Sequence, residues 1–259
     1  MRAFVAGAGV LGPGLPGWAA SRAVLAGERP WEPGEVALPP PAILSATERR
    51  RTGPVVRLAL AVATEAATAS GLPHATLRPV FGSGNGDAVT IGAILGTLTQ
   101  PDGFVSPTQF HNSVHNAAAG YWSIGAGSTR PATCLGGYDW TFGAALMKAA
   151  AECWAEREPV LLCVYDVPMP PPLDAKRPIA APFGAAFVLV PDGAGPAISL
   201  RWSAEAAHAA GPLSAALRPL AAGNPAAQSL RLLEALARGG PDHFAVPLLD
   251  GHLAVMLTA

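Results

Sequence analysis

Runs of apolar residues separated by turn residues predict an alternation of strands and helices along most of the chain. The short runs have the length of buried strands and cover residues 2–8, 79–82, 132–135 and 160–165. The longer runs have the length and spacing of helices and cover residues 16–26, 55–70, 89–98, 117–124 and 141–157. Strands that alternate with apolar helices predict a layered α/β fold.

Turn residues divide this pattern. Ser45–Glu48 has the sequence of a capping box, and Gly71 ends the helix at 55–70. Proline-rich segments predict surface loops at 28–44 and 168–178. Two alternating runs, 186–190 and 197–202, flank Asp192–Gly195 and predict an antiparallel hairpin.

The end of the chain has a different composition. After residue 203 it is rich in alanine and proline, with a predicted helix at 226–237 and short strands at 243–248 and 252–257. We therefore expect residues 1–202 to form the main domain. Residues 203–259 would be a short extension of helix and strands that completes the same domain.

Composition limits the classes of protein to which the chain can belong. Half of the 259 residues are hydrophobic and 14% are charged, which is typical of a globular protein with a sizeable core. The net charge of −1, from 17 basic and 18 acidic residues, argues against a nucleic-acid or anionic-membrane binder. The N-terminal segment is too short and too broken for a signal sequence or a membrane span. We expect a cytoplasmic protein with no membrane insertion.

Two glycine-rich segments are candidates for a nucleotide site. Gly7–Gly12 reads GxGxxG after a predicted strand, as in a dinucleotide site. Prolines follow at once, and no acidic residue ends a second strand, so a tight strand-to-helix turn is the simpler interpretation. The second segment, 82–87, lacks the lysine of a phosphate loop. We expect no bound cofactor.

The polar cluster at 106–116 contains His111 and His115, spaced i, i+4 as zinc ligands on a helix can be. No third ligand follows at a matching spacing. Buried, hydrogen-bonded histidines at an interface are the alternative, and we expect no metal.

Cys134 lies between a predicted strand and a long helix, where a thiol can act as a nucleophile. The helix is expected to begin several residues later, which favours a buried strand residue instead. Cys153 and Cys163 occur in apolar contexts that are typical of structural cysteines. The three cysteines are scattered, so the pattern does not indicate a disulfide framework.

Three segments, in this order, resemble the N-terminal half of β-ketoacyl synthases. They are VAGAGVLGPG at 5–14, SPTQFHNSVHNAAAGYWSI at 106–124 and PATCLGGYDWTFGAALMKAA at 131–150. The resemblance covers residues 1–190 and is strongest to short, chain-length-factor-type proteins of aryl polyene and type II fatty acid or polyketide systems. It implies a thiolase-like α/β fold, the N-terminal half of a ketosynthase with a reduced C-terminal part.

The resemblance implies which residue stands at the nucleophile position. A proline precedes the family's cysteine by eight positions, and Pro131 then sets Asp139 at that position. The family's Asn-x-x-Ala-Gly helix matches Asn116–Gly120, at the right distance from Pro131. In a second register, with a five-residue shift, Cys134 begins a C-x-x-G-x-D elbow and is the nucleophile.

The resemblance also implies that the chain does not condense acyl units by itself. Condensation needs a cysteine that carries the acyl chain and two histidines that stabilise developing negative charge. The family's histidines lie in the C-terminal half, and after residue 202 this chain has only His208, His243 and His252, in no such motif. The chain is therefore expected to lack the catalytic half.

Ketosynthases are dimers, and the resemblance implies a heterodimer with a full-length ketosynthase, served by an acyl carrier protein. The segments 106–124 and 132–135 would form the interface and close the partner's acyl tunnel. The tunnel and interface residues so implied are Gln109, Phe110, His111, Asn112, His115, Asn116 and Trp122. The alternative for Phe110 and Trp122 is that they fill this chain's own core.

The sequence thus predicts a non-condensing, chain-length-factor-like subunit. One alternative is an acyltransferase or thioesterase that acts on carrier-protein thioesters through Cys134, with His111 or His115 as the base. A second alternative is a dinucleotide-binding protein that uses Gly7–Gly12.

Overall fold

The computed structural model describes residues 1–205 and 214–259. Its strands are β1 (Arg2–Leu11), β2 (Arg78–Gly82), β3 (Thr133–Leu135), β4 (Val160–Asp166), β5 (Phe183–Val190), β6 (Ala197–Ser203), β7 (Asp242–Leu248) and β8 (Gly251–Thr258). Its α-helices are α1 (Trp18–Leu25), α2 (Ala46–Arg50), α3 (Pro54–Ser70), α4 (Ala88–Leu98), α5 (Pro107–Asn112), α6 (Ala117–Ala126), α7 (Thr141–Glu156), α8 (Arg218–Ala222) and α9 (Leu230–Arg238).

The eight strands form one sheet in the order β3-β2-β4-β5-β1-β6-β8-β7. β2 runs parallel to β3 and β4, and every other neighbouring pair is antiparallel. Helices α3 and α6 cover one face of the sheet, and α7, α9 and the turn Pro225–Ser229 pack on the other. This three-layer arrangement confirms the α/β fold predicted from the alternation of strands and helices.

The first strand is longer than its apolar run predicted. β1 continues through Gly7 and Gly9, so the expected glycine-rich turn is wrong, and a dinucleotide loop has no place there. A Cβ on Gly7 would lie 2.2 Å from the carbonyl oxygen of Ala66, and one on Gly9 would lie 2.4 Å from that of Val62. These glycines therefore let α3 pack directly against the strand.

The predicted hairpin is also wrong in its pairing. Both strands exist, but β1 lies between them, with Phe4 opposite Val190 on one side and Ala197 on the other. Alternation in a sequence predicts a strand but cannot identify its neighbour, because a distant segment can insert between two strands.

Local signals at helix ends agree with the structure. The Ser45 hydroxyl accepts from Glu48 N (3.3 Å) as a capping box requires, and Gly71 ends α3 in the left-handed conformation. The C-terminal helix and both terminal strands are present, and β8 pairs with β6 and β7, so these two strands extend the same sheet. Among the helices described, none is long and apolar enough to cross a membrane.

Candidate functional site

The connection between β3 and α7 forms a tight elbow at one edge of the sheet. After Gly136 and Gly137, Tyr138–Trp140 make a single 3-10 turn, and α7 begins at Thr141. Tyr138 has a φ of 53°, a left-handed conformation that costs a residue with a Cβ about 1–2 kcal/mol. The Thr141 hydroxyl holds this turn, because it donates to Tyr138 O (2.7 Å) and accepts from Gly137 N (3.1 Å).

Asp139 lies at this elbow and is engaged in an ion pair. Its Oδ1 is 2.6 Å from Nη1 of Arg177, and the Arg177 guanidinium also stacks 3.6 Å from the centre of the Tyr138 ring. The Asp139 side chain is 62% exposed, whereas that of Arg177 is 14% exposed. The elbow therefore presents a carboxylate that is already bound to a cation.

Cys134 is the middle residue of β3, next to Phe81 of β2, and does not lie at the start of α7. Its thiol is half-buried, and burial raises the thiol pKa, which disfavours the nucleophilic thiolate. Cys153 and Cys163 are fully buried, in agreement with structural roles. The structure thus places Cys134 in the strand, as expected from the apolar run.

The two histidines of the polar cluster have different surroundings. His111 is in α5 with its ring edge-on to Tyr121, at 6.2 Å between ring centres. His115 lies in the connection between α5 and α6, and its Nε2 is 3.0 Å from the carbonyl oxygen of Ser83. Since α5 ends at Asn112, the helix that would align both histidines is interrupted. Within residues 1–205 and 214–259, no hydrogen bond joins either histidine to Cys134, and no group of three metal-binding side chains occurs.

Helices α5 and α6 form an exposed face around a shallow cavity. Its volume is 360 Å³, and it is lined by Pro107, Phe110, His111, Val114, Asn116, Ala117, Gly120, Tyr121 and Ile124. Phe110 is 69% exposed on this face, and Gln109 beside it is half-buried. Asn116, at the start of α6, is exposed. Most of the lining is apolar, and His111, Asn116 and Tyr121 carry its polar side-chain atoms.

Two other residues of the predicted interface set point inward. Trp122 has no exposed surface and packs in the core with α3. For Trp122 the structure therefore agrees with the alternative that it fills this chain's own core. Asn112 is buried and connects two elements, because its Nδ2 donates to Arg51 O (2.9 Å) and its Oδ1 accepts from the Tyr121 hydroxyl (3.0 Å). Trp122 therefore does not reach a partner, and Asn112 supports the face from beneath.

The edge of the sheet beside this face is open. β3 pairs only with β2 among the described strands, so one side of its backbone is unpaired. The adjacent α4 is apolar along its length, yet Ala88 is its one buried residue in the part of the chain that the structure describes. The large apolar side chains exposed on α4, α5, α6 and the connections between them are Val89, Leu95, Leu98, Phe104, Phe110, Val114 and Ile124. Such an area is typical of a protein interface.

A group of arginines lies at the border of the α5 face. Arg49, Arg50 and Arg51 are consecutive at the end of α2, and Arg57 follows in α3. The contact from Asn112 to Arg51 O joins this group to α5. Glu48 is paired with Arg51 at 3.2 Å, and the group has a net positive charge.

Two charged residues that sequence reasoning missed lie behind the elbow. Asp166 ends the buried strand β4 and has no exposed surface; desolvation by burial raises its pKa to about 6. Its position at the carboxyl end of a strand parallel to β2 was a usable signal, because such ends meet at one edge of a sheet. Arg177 lies in the proline-rich loop, where no pattern distinguished it.

The comparisons with known proteins agree with this architecture. The family model for the N-terminal domain of β-ketoacyl synthases matches residues 22–244. No curated protein matches the chain. One similar structure is a ketosynthase in complex with its chain length factor from Xenorhabdus doucetiae, with a TM-score of 0.72, 22% identity and 100% of both chains covered.

Two further structures resemble the chain over nearly its full length. The ishigamide ketosynthase/chain length factor has a TM-score of 0.71 at 15% identity, covering 99% of this chain and 98% of the other. A type II PKS acyl-carrier protein in complex with its ketosynthase has a TM-score of 0.67 at 12% identity, covering 100% and 99%. At these identities the likeness shows the fold.

The family model covers most of the chain, including the α5–α6 face, the edge strand β3 and the elbow. The resemblance and the thiolase-like α/β fold predicted from the sequence are therefore confirmed. The chain belongs to the β-ketoacyl synthase family, through the N-terminal domain of that family.

Proposed function

We propose that this chain is a non-condensing, chain-length-factor-like subunit in type II fatty acid or polyketide (aryl polyene-like) biosynthesis. It pairs with a full-length β-ketoacyl synthase in the cytoplasm and shapes the acyl tunnel of that partner. Two of the similar structures are described as a ketosynthase with its chain length factor, which supports this role.

The residue at the elbow supports the non-condensing role of this chain. Condensation begins when a cysteine thiolate attacks the acyl thioester and the carrier thiol leaves. Loss of CO2 from a malonyl thioester then gives an enolate, which attacks the bound acyl group and expels the thiolate. Asp139, paired with Arg177, offers a weakly nucleophilic carboxylate instead of a thiolate, and its charge would repel the malonyl carboxylate.

Two of the three C-terminal histidines lie far from the elbow in the sheet. His243 is on β7 and His252 on β8, at the opposite end of the sheet from β3. Strand spacings of about 4.8 Å place β8 and β7 roughly 29 Å and roughly 34 Å from β3 across the sheet. His208 lies outside the described residues. Within residues 1–205 and 214–259, no histidine of the C-terminal segment is close to the elbow.

The open edge is the observation that carries the proposal. β3 offers unpaired backbone groups, and beside it α4 and α5 expose an apolar surface that this chain does not cover within its described residues. An apolar helix of this kind is expected to be buried. A ketosynthase that adds a strand to β3 would bury both features in one interface.

Phe110 is the residue of this interface that we assign to the tunnel. Its ring is largely exposed at the rim of the α5–α6 cavity, where it can enter a cavity of the partner. The size of its side chain would then limit the space for the growing acyl chain. Gln109 and His111, the neighbours of Phe110, would border the same opening.

The position of the arginine group supports the binding of an acyl carrier protein to the complex of this chain with a ketosynthase. Arg49, Arg50, Arg51 and Arg57 lie beside the proposed interface, so an acidic carrier protein could contact both subunits at once. One of the similar structures contains a carrier protein with its ketosynthase.

Co-expression with candidate ketosynthases tests the proposal. We expect a stable complex of one chain of each kind, and elongation activity only in the complex. If no ketosynthase co-purifies with the chain, or if the chain alone elongates acyl thioesters, the proposal is wrong. The alternative reaction at Cys134 has no support from geometry, because no hydrogen bond within the described residues joins its thiol to His111 or His115.

A further inference from the structure

The loop that connects β2 to α4, residues Ser83–Gly86, contacts β3 and the connection between α5 and α6, and it leads directly into α4. Ser83 N donates to Leu135 O of β3 (3.2 Å), and Ser83 O lies 3.0 Å from Nε2 of His115, between α5 and α6. Because a carbonyl only accepts, His115 is the donor. Asp87, the next residue, caps α4 by accepting from Thr90 N (3.0 Å).

A buried carboxylate holds this loop from beneath. Asp166 accepts from the Ser83 hydroxyl (2.8 Å), from Gly84 N (3.2 Å) and from Asn85 N (3.1 Å). All three donors belong to the loop, and Asp166 itself is fully buried. Three short contacts from one carboxylate fix the backbone of the loop.

An arginine holds the same loop from the other side. Arg177 Nε donates to Asn85 Oδ1 (3.4 Å), while its Nη1 binds Asp139 and its plane stacks on Tyr138. The loop and the elbow are thus joined through one side chain. Gly84 also packs against the elbow, since a Cβ there would lie 3.2 Å from Tyr138 O.

We propose that Asp166 and Arg177 are positioning residues, which hold the Ser83–Gly86 loop and thereby pre-organise the surface that binds the ketosynthase. This inference rests on the proposed function for the identity of the partner. The contacts themselves exist within the single chain. Pre-organisation improves affinity because less flexibility is lost on binding.

The test compares Arg177→Ala with Arg231→Ala. Arg231 is a close match, because its side chain is 11% exposed, it binds Asp242 at 2.9 Å and it stacks 4.7 Å from the Phe244 ring. It is a residue of α9 and binds the first residue of β7, at the opposite edge of the sheet from β3. Both variants are expected to lower the Tm to a similar extent.

Hydrogen exchange of the isolated chain gives the first readout. In Arg177→Ala, exchange is expected to rise at residues 83–86, 113–117 and 133–139, and alkylation of Cys134 is expected to be faster. Arg231→Ala should leave these segments unchanged. Equal exchange in the two variants at these segments would overturn the proposal, whether or not a ketosynthase partner is found.

Affinity for the co-purified ketosynthase gives the second readout. Loss of hydrogen bonds to a charged group predicts that Arg177→Ala raises the Kd about tenfold, with little change for Arg231→Ala. Arg177→Lys keeps the charge but lacks the planar fork, so it should not restore affinity. Asp166→Asn keeps the side-chain shape and should loosen the same three segments. An unchanged Kd in folded Arg177→Ala would contradict the proposal.

Discussion

The carboxylate of Asp139 lies 2.6 Å from the guanidinium of Arg177, at the turn where β3 leads into α7. In the register set by Pro131, this is the position of the family's nucleophilic cysteine. A carboxylate in an ion pair at that position agrees with the proposed non-condensing role of this chain.

We first expect Asp139→Asn to leave the activity of the complex nearly unchanged. The pair is largely exposed on the Asp139 side, so its loss should cost less than about 1 kcal/mol of stability. Turnover and product profile of the complex are the measurements. Loss of elongation in a folded Asp139→Asn complex would instead indicate that the elbow takes part in the chemistry.

Product length is expected to depend on the size of residue 110. Phe110→Ala should enlarge the partner's tunnel and shift the products to longer chains, and Phe110→Trp should shift them to shorter ones. Mass spectrometry of the carrier-bound products measures this. Phe104, which is also exposed but lies in the connection before α5, offers a control in Phe104→Ala. Identical product profiles for all three variants would contradict the tunnel assignment.

The arginine group is expected to govern use of the carrier protein. The double variant Arg50→Glu and Arg51→Glu should raise the KM for carrier-bound substrate and weaken the dependence of the rate on salt, since exposed charges act through screened electrostatics. Arg201→Glu, on an exposed part of β6, is compared with the single variant Arg50→Glu, because each changes the net charge by −2. A KM equal to that of the unchanged complex would place carrier docking elsewhere.

Stability is expected to depend on pH through Asp166. Burial raises its pKa to about 6 from an ordinary value of 3.8, so between these values the folded chain binds more protons than the unfolded chain. The free energy of unfolding should therefore fall as the pH rises from about 4 to about 6. Two pH units of difference correspond to about 3 kcal/mol from this one group.

Chemical denaturation across this pH range measures the effect, and Asp166→Asn should remove its share of the slope. Glu65 and Glu234 also have pKa values raised by burial and contribute slope of the same sign, whereas Glu158 and Asp242 have lowered pKa values and contribute slope of the opposite sign at the acid end. The share of Asp166 is therefore the difference in slope between the unchanged chain and Asp166→Asn. If the variant does not fold, the amide resonances of Gly84 and Asn85 should titrate near pH 6 in the unchanged chain. Resonances that do not move between pH 4 and pH 7 would refute the assignment.

Sequence reasoning was accurate for elements that depend on local signals. The runs at 79–82 and 160–165 fall within strands β2 and β4, and Ser45 and Gly71 mark helix ends, because capping and hydrophobic periodicity act over a few residues. The pairing of strands was not accessible in this way. β1 is local in sequence to neither β5 nor β6, so its insertion between them had no signal in either segment.

In the candidate site, too, features with a local sequence signal were predicted and features that depend on tertiary contacts were not. The order of the family motifs pointed to Asp139 and to the α5–α6 face. The sequence could not show which of Phe110 and Trp122 is exposed and which is in the core. The two residues lie in separate helices, α5 and α6, so helical periodicity does not relate their directions. Arg177 was missed because a contact between a proline-rich loop and a distant elbow depends on tertiary structure alone.

The central claim is that this chain binds a ketosynthase through the edge strand β3. Alkylation of Cys134 tests it most directly, because Cys134 lies in β3 and is the one cysteine of the three that is partly accessible. In the complex with a ketosynthase we expect its reaction with a small maleimide to slow about tenfold or more, as the edge strand becomes paired and buried. Cys153 and Cys163, fully buried in α7 and β4, should stay unreactive in both states and serve as internal controls. A complex in which Cys134 reacts as fast as in the isolated chain would contradict pairing through this edge.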